Sequence, residues 1–332
     1  MNKLFFKKYV LLGAIVTFIF TSCNNGSDTA NDRVVSGSSG NINNVSVVLE
    51  NEKWEGAIGE ALRDNFAAPV DGLPQEEPIF SLNQMPPEAF SGFVRKNRLF
   101  IKIENGRPAG FKSYKDPFAA PQRGILISGM NNEEIVNQIH QNSDEIIRLF
   151  KTTEIREKQR RMRKSLKDDG KLQEQFGVSL IFPSAYRYAI EEDNFFWIRK
   201  DIPKGMMEIM IYEVPMHVID KDTNVIANII KMRDSIGQKH IPGPVDGSYM
   251  ITEEAYAPYL FKVEVDGKFA YETRGTWEVK NAFMAGPFVN YAVRDEANNR
   301  YVILEGFAFS PASAKRDNMF ELEAILQSAR IK

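Results

Sequence analysis

The chain has 332 residues, of which 43% are hydrophobic and 26% charged, and its 42 basic side chains nearly balance 44 acidic ones. This hydrophobic content is enough to form a buried core, which excludes a largely disordered protein. The balanced charge excludes a general nucleic-acid-binding protein, since such proteins carry a large basic excess. A single cysteine excludes an internal disulfide framework. Because single cores stop growing at roughly 250 to 300 residues, the length predicts two domains.

The first 22 residues have the pattern of a lipoprotein signal peptide. Three lysines precede an apolar run at residues 10–20, and polar residues follow Cys23. The run is shorter than the roughly 20 residues of a permanent membrane-spanning helix, so it is typical of a cleaved signal. The small residues before Cys23 resemble the bacterial lipobox, in which the cysteine becomes the N-terminus and carries diacylglycerol. The alternatives are an uncleaved anchor helix or a buried cysteine.

Cleavage before Cys23 would leave 39 basic against 44 acidic side chains and a net charge of -5. The acyl chains would then hold a folded body at the membrane without a transmembrane helix. Asn24 stands where the enterobacterial inner-membrane retention signal has aspartate. We therefore expect a lipid-anchored outer-membrane protein that faces either the periplasm or the exterior.

The mature chain is predicted to begin with a flexible tether at residues 23–44, which are rich in Asn, Ser and Gly. An N-terminal α+β domain is predicted for residues 45–170. Its first helix carries Trp54, Ile58, Leu62 and Phe66 at every fourth position. A long helix is predicted for about residues 132–166, because Ile135, Ile139, Ile146 and Phe150 form an apolar stripe at helical spacing. The predicted strands of this domain lie at 45–49, 79–82, 99–103 and 124–128.

A C-terminal α+β domain is predicted for residues 171–332, beginning with an antiparallel meander. A helix follows, for which Gly237 is the predicted end, and then a hairpin at Asp266-Gly267. The last helix is predicted for about residues 315–329. The predicted strands lie at 178–182, 186–190, 195–198, 208–214, 259–265, 269–273, 290–294 and 301–309. The fold class is therefore α+β, with two layered domains of mostly antiparallel sheet and packed helices.

Six short motifs stand out in the mature chain. They are Trp54-Glu55-Gly56, Gly72-Leu73-Pro74-Gln75-Glu76-Glu77-Pro78, Pro242-Gly243-Pro244, Tyr249-Met250, Gly275-Thr276-Trp277 and Met284-Ala285-Gly286-Pro287-Phe288. As a set, across essentially the whole mature chain, they resemble a Bacteroidota lipoprotein family catalogued as domain of unknown function 4837. The family usually has Leu-Trp and Gly-Gly-Pro-Phe where this chain has residues 276–277 and 285–288. Because the family has no established activity, the resemblance implies a compartment and no mechanism.

A second resemblance concerns the C-terminal half alone. The segment 177–183 opens the predicted meander, and Gly306-Phe307 closes a strand before the last helix. These features are similar to the PsbP-like α/β/α sandwich of small binding domains. The resemblance implies a sandwich fold for residues 171–332.

Groups for catalysis or metal binding are few. His217 lies near Asp220 and Asp222, and His240 precedes a proline-rich loop, but the chain has no HExxH or HxH motif. It also lacks a G-x-S-x-G nucleophile motif. The adjacent carboxylates Glu76-Glu77 and Glu253-Glu254 do not establish the separation that glycosidase chemistry requires. We therefore expect no enzyme, no cofactor and no metal, with an envelope hydrolase as a lower-ranked alternative.

Three features are candidate binding surfaces. Residues 151–171 hold nine basic against four acidic side chains, so Arg160, Arg161 and Arg163 are candidates for binding an anionic lipid or an acidic envelope protein. The alternative is a solvated helix with ion pairs between residues four apart. A second candidate is Tyr249, which lies in a predicted rigid loop. A third is the pair Trp277 and Phe288, which could form the wall of a pocket or could pack in the core. The sequence predicts a non-enzymatic binding or assembly component, and the alternative is a periplasmic small-ligand-binding protein.

Overall fold

A five-stranded sheet forms the first layer of the structure, a computed structural model that describes residues 35–332. The predicted signal peptide and Cys23 lie outside these residues. The strand order is β2-β1-β3-β5-β4, and only β4 runs antiparallel to its neighbour. The strands are β1 (Asn44–Val48), β2 (Ser81–Met85), β3 (Leu99–Asn105), β4 (Gly110–Lys115) and β5 (Arg123–Gly129).

In the described part of this first half there are three α-helices, α1 (Asn51–Trp54), α2 (Ala57–Phe66) and α3 (Asn132–Met162). The α3 helix begins where the Asn131 side chain accepts a hydrogen bond from the Glu134 backbone N–H. Its predicted apolar stripe is fully buried against one face of the sheet, together with apolar residues of α2. Burial of this stripe positions α3 along the sheet, and its C-terminal part extends toward the second half.

A larger antiparallel sheet forms the second layer, in the order β10-β12-β13-β14-β9-β8-β7, with β11 also paired to β12. The strands are β7 (Arg187–Glu192), β8 (Phe195–Ile202), β9 (Gly205–Pro215), β10 (Tyr249–Thr252), β11 (Tyr259–Val265), β12 (Lys268–Lys280), β13 (Ala285–Asp295) and β14 (Arg300–Phe309). A separate pair joins β6 (Val178–Ser179) to β15 (Arg330–Ile331).

Helices cover both faces of the larger sheet. They are α4 (Gly170–Phe176), α5 (His217–Asp220), α6 (Val225–His240) and α7 (Arg316–Leu326). One buried cluster contains apolar residues of α4 and α7, and a second contains residues of α5 and α6. Gly237 does not end α6 as predicted, because the helix continues to His240. A Cβ atom at Gly237 would lie 2.2 Å from the Met250 carbonyl oxygen, so this glycine permits close packing on β10.

The predicted α+β class is confirmed, with mostly antiparallel sheet and packed helices. Residues 36–332 form one compact unit that contains both sheets. The division into domains at residues 45–170 and 171–332 stays a prediction. Within residues 35–332, no helix combines the length and the hydrophobicity needed to cross a bilayer.

Residues 36–43 were predicted as part of the tether but are held against the first sheet. The Ser38 N–H donates to the Ala120 carbonyl oxygen at 3.1 Å, and the Ser39 N–H donates to that of Lys96 at 2.9 Å. The Arg98 guanidinium donates to the Asn41 carbonyl oxygen at 2.8 Å. A segment rich in Asn, Ser and Gly has no hydrophobic pattern that could indicate these backbone hydrogen bonds. The composition alone therefore predicted that the tether continues to residue 44.

Candidate functional site

A cleft of about 710 Å³ opens where the two halves of the chain meet, and we call it the junction cleft. Residues 69–76 form one wall, and the region from β10 to β12 forms the other. The side chains with polar atoms in its lining include Asp71, Gln75, Glu76, Glu253, Tyr256 and Tyr259. Both halves therefore contribute directly to the same surface.

Gly72 fixes the first wall against β12. Its φ angle is +80°, a left-handed conformation that favours glycine. A Cβ atom at this position would lie 2.9 Å from the Gly275 nitrogen, so the backbone of the loop packs closely on β12. The Val70 N–H also donates to the Glu77 carbonyl oxygen at 2.9 Å, which closes the loop at its base. The wall is therefore determined by backbone geometry and does not depend on mobile side chains.

Glu77 holds the same loop to α7. Its carboxylate accepts the backbone N–H groups of Lys315 at 2.7 Å and Arg316 at 2.9 Å. These N–H groups lie at the start of α7, where the helix leaves donors without intrahelical partners and favours negative charge. The Arg316 guanidinium donates in return to the Pro78 carbonyl oxygen at 3.1 Å. The structure thus gives Glu77, one of the paired carboxylates noted in the sequence, a structural role at the junction.

The junction cleft combines negative charge with exposed aromatic rings. Tyr256 is 78% exposed and Tyr259 49% exposed. Asp71, Glu76 and Glu253 place carboxylates in the same lining. Carboxylates pair with cations, and tyrosine rings attract cations through their faces. The arrangement is therefore suited to a ligand that carries amines or guanidinium groups.

The acidic character extends beyond the lining to Glu278 on β12. Partial burial raises the pKa of Glu278, and the charges of Glu253 and Glu254 raise it further. A cation bound among these carboxylates would favour their charged forms. Negative potential around the cleft therefore adds to the direct contacts with a cationic ligand.

A second hollow of about 400 Å³ shares residues 69–71 with the junction cleft, and its floor is an ion cluster. Arg274 pairs with Glu272 and also with Glu323, whose carboxylate lies 2.9 Å from the guanidinium. Burial alone would raise the pKa of Glu323, but Arg274 and Lys151 outweigh it and lower the pKa. Burial disfavours the charged form of Arg274, yet Glu323 and Glu272 hold its pKa above the ordinary value. The floor is therefore ionised and internally paired.

The three aromatic candidates from the sequence do not form a surface groove. Trp277 and Phe288 are buried in the apolar cluster beneath α6, as the alternative of core packing predicted. The Arg233 guanidinium lies 3.8 Å from the centre of the Phe288 ring. Tyr249 is half-buried, and the Lys280 ammonium lies 5.7 Å from its ring centre. All three aromatics lie outside the lining of the junction cleft.

The basic candidates on α3 are partly neutralised. Arg160 and Arg161 each place a guanidinium nitrogen 2.7 Å from the Glu157 carboxylate. Burial alone would raise the pKa of Glu157, but hydrogen bonds from the two arginines lower it. Arg163, just beyond the helix, is exposed. The alternative of a solvated helix with ion pairs therefore applies to Arg160 and Arg161 only in part, because the one Glu157 carboxylate pairs with both arginines.

The histidines lie away from the junction cleft. His217 is exposed at the start of α5. His240 is buried and stacks on Phe195 at 4.1 Å between ring centres, with its Nδ1 atom 3.2 Å from the Glu192 carboxylate. Burial lowers the pKa of His240. Residues 35–332 contain no cluster of three or more His, Cys, Asp or Glu side chains arranged to hold a metal ion.

Two family models match separate parts of the chain. A solved structure, described as LpqN involved in cell envelope biogenesis of Mycobacterium tuberculosis, is 13% identical and matches 47% of this chain and 83% of that chain with a TM-score of 0.29. No curated protein is significantly similar to the chain. Residues 38–163 match the family described as Domain of unknown function (DUF8532). Residues 164–328 match the family described as Domain of unknown function (DUF4837), which confirms the resemblance to that family over this segment.

Proposed function

We propose that the protein is a lipid-anchored component of the cell envelope at the outer membrane, and that it binds a positively charged partner segment without catalysing a reaction. The observation that supports binding is the acidic, tyrosine-lined junction cleft formed by both halves of the chain. The observation that supports the anchor is the signal-like segment that ends at Cys23. Diacylglycerol on Cys23 would be the contact with the membrane.

The contacts available in the cleft set the expected strength of binding. An exposed ion pair contributes at most about 1 kcal/mol. A cation over an exposed tyrosine ring contributes about 0.5–1 kcal/mol. Several such contacts are needed for measurable affinity, so a ligand with two or more cationic groups fits better than a single amine. Because Asp71 and Glu76 are exposed and Glu253 is only half-buried, we expect the affinity to fall as salt increases.

A short amidated peptide, Lys-Ala-Lys-Ala-Lys, is a suitable probe of the cleft. We expect the combined variant Asp71→Asn and Glu253→Gln to bind it about fivefold more weakly, since two ion pairs are lost. Tyr256→Ala should weaken binding less. Isothermal titration calorimetry at two salt concentrations measures both effects.

The matched control is the pair Glu52→Gln and Glu133→Gln, two exposed acids at the starts of α1 and α3. This control removes the same charge as the cleft variant and should leave the affinity within twofold. Equal losses in the cleft and control variants would show that net charge alone attracts the peptide. Undiminished binding by the cleft variant would refute the assignment of the cleft.

The anchor has its own test in cells. Growth with an alkyne-labelled fatty acid should label the wild-type chain, and Cys23→Ser should abolish the label because the thioether cannot form. A Ser22→Ala variant keeps the cysteine and a small residue before it, so it should still be labelled. In-gel fluorescence after coupling to a dye measures the label. Equal labelling of the Cys23→Ser variant would contradict lipidation at this residue.

A further inference from the structure

Three segments of the first half meet where the chain enters the fold. The Ala120 N–H donates to the Ser36 carbonyl oxygen at 3.0 Å, and the Arg98 N–H donates to that of Ser39 at 3.0 Å. The Arg161 guanidinium at the end of α3 donates to the Gly40 carbonyl oxygen at 3.3 Å. The segments 95–98, 115–123 and 160–163 therefore surround the entering chain, and we call their shared surface the basic end.

The basic end carries a strong excess of positive charge. The three segments that form the basic end contain eight basic side chains and one acidic side chain, in a chain whose net charge is -2. Arg98 is buried, but Arg95 and Lys115 are exposed. Arg163 adds an exposed cation from the end of α3. Positive charge from sequence-distant segments is thus concentrated at one end of the molecule.

Exposed aromatic side chains lie next to these cations. Phe93 is 70% exposed, and the Lys96 ammonium lies 5.9 Å from the centre of its ring. Tyr114 is 41% exposed and precedes Lys115 at the end of β4. Basic side chains bind lipid phosphates, and aromatic side chains favour the interface between headgroups and acyl chains. A lipid surface satisfies both kinds of group.

We propose that the basic end is the surface with which the protein contacts an anionic lipid bilayer. The proposal rests on the proposed lipid anchor, since Cys23 precedes Ser36 by 13 positions. Thirteen residues span at most about 45 Å in any conformation. A lipid on Cys23 therefore keeps the basic end near the bilayer, and tethering raises the effective concentration of weak contacts.

Vesicle co-sedimentation tests the surface without the anchor. The chain from residue 24 onward retains the whole compact unit 36–332 and lacks both the signal segment and Cys23. We expect it to bind phosphatidylcholine vesicles that contain 30% phosphatidylglycerol, and to bind pure phosphatidylcholine at least tenfold more weakly. Raising the salt from 50 to 300 mM should reduce binding to the anionic vesicles, since surface charges are screened.

Charge-neutralising variants locate the contact. The triple variant Lys96→Gln, Lys115→Gln and Arg163→Gln should weaken binding to anionic vesicles about tenfold or more, since each basic residue near such a surface adds to the electrostatic attraction. Phe93→Ser should weaken it by a smaller factor. The matched control replaces three exposed lysines in or near α6 with glutamine, namely Lys221, Lys231 and Lys239. This control should bind within twofold of the parent chain.

The outcomes separate this inference from the proposed function. Absence of binding to anionic vesicles, or an equal loss in the control triple, would overturn it. Binding to a polyglutamate peptide without binding to vesicles would assign the basic end to an acidic protein and also overturn it. If the fatty-acid label is absent while vesicle binding follows the expected pattern, the anchor is refuted and the lipid-binding surface stands.

Discussion

Replacement of Arg98 by methionine should destabilise the folded protein by about 3–5 kcal/mol, since it leaves a buried carboxylate without its partner. The Arg98 and Glu154 side chains are 1% and 0% exposed, and Nε lies 2.5 Å from Oε1. The other Glu154 oxygen accepts the Asn43 backbone N–H at 2.9 Å. Arg98 also donates to the Asn41 carbonyl oxygen. The variant therefore disrupts the contact between α3 and the segment that enters the fold.

Urea denaturation followed by circular dichroism measures this loss as a lower midpoint with little change in slope. Arg148→Met is the control, because Arg148 is 67% exposed and its pair with Glu145 spans 3.8 Å. It should cost less than about 1 kcal/mol. The double variant Arg98→Met and Glu154→Leu should be more stable than Arg98→Met alone, because it leaves no unpaired charge. A double variant less stable than the single one would contradict the account of a buried charge.

Hydrophobic periodicity was sufficient to predict most helices and strands. The spacing of Ile135, Ile139, Ile146 and Phe150 predicted α3, and all four side chains are fully buried. The hairpin predicted at Asp266-Gly267 joins β11 to β12. Local patterns succeed here because each reflects contacts within one helix or between adjacent strands.

The parallel arrangement of the first sheet was not predicted. The strands β1, β3 and β5 are parallel neighbours, yet their order depends on the path of the connections between them. In the sequence, a buried parallel strand is a short apolar run, and such a run does not show whether the strand is parallel or antiparallel to its neighbours. Gly237 was wrongly predicted to end α6 for a similar reason, because the close contact that requires a glycine there is with Met250 on β10. The strand order and the position of Gly237 within α6 both depend on contacts between different elements, which local sequence patterns do not show.

The junction cleft was missed for the same physical reason. Glu77 contacts the N–H groups of Lys315 and Arg316, more than 230 positions away in the chain. Tyr259 belongs to β11, an edge strand, and its ring is 49% exposed. Trp277 was considered for a pocket wall because it is aromatic, but its strand is central and its ring is buried. Composition does not distinguish an edge strand from a central one.

Arg233→Met should also destabilise the protein by about 3–5 kcal/mol, because it would leave Glu305 charged in the core beneath α6. The Arg233 guanidinium lies 2.8 Å from the Glu305 carboxylate and donates to the Thr252 hydroxyl at 2.9 Å. The other Glu305 oxygen accepts from the Asn290 amide at 2.9 Å. The same guanidinium lies over the Phe288 ring, so one side chain joins α6 to β10, β13 and β14.

The free energies of unfolding of a small set of variants, measured by urea denaturation, distinguish the effect of the Arg233 charge from that of its side-chain shape. Arg233→Lys keeps the charge but loses the forked geometry, so it should cost less than Arg233→Met and more than the surface control. That control is Arg187→Met, whose exposed pair with Asp201 spans 3.2 Å and should contribute less than about 1 kcal/mol. Equal losses for the lysine and methionine variants would show that packing over Phe288, and not the charge on Glu305, determines the effect. A loss no greater than in the control would rule out the buried pair as a determinant of stability.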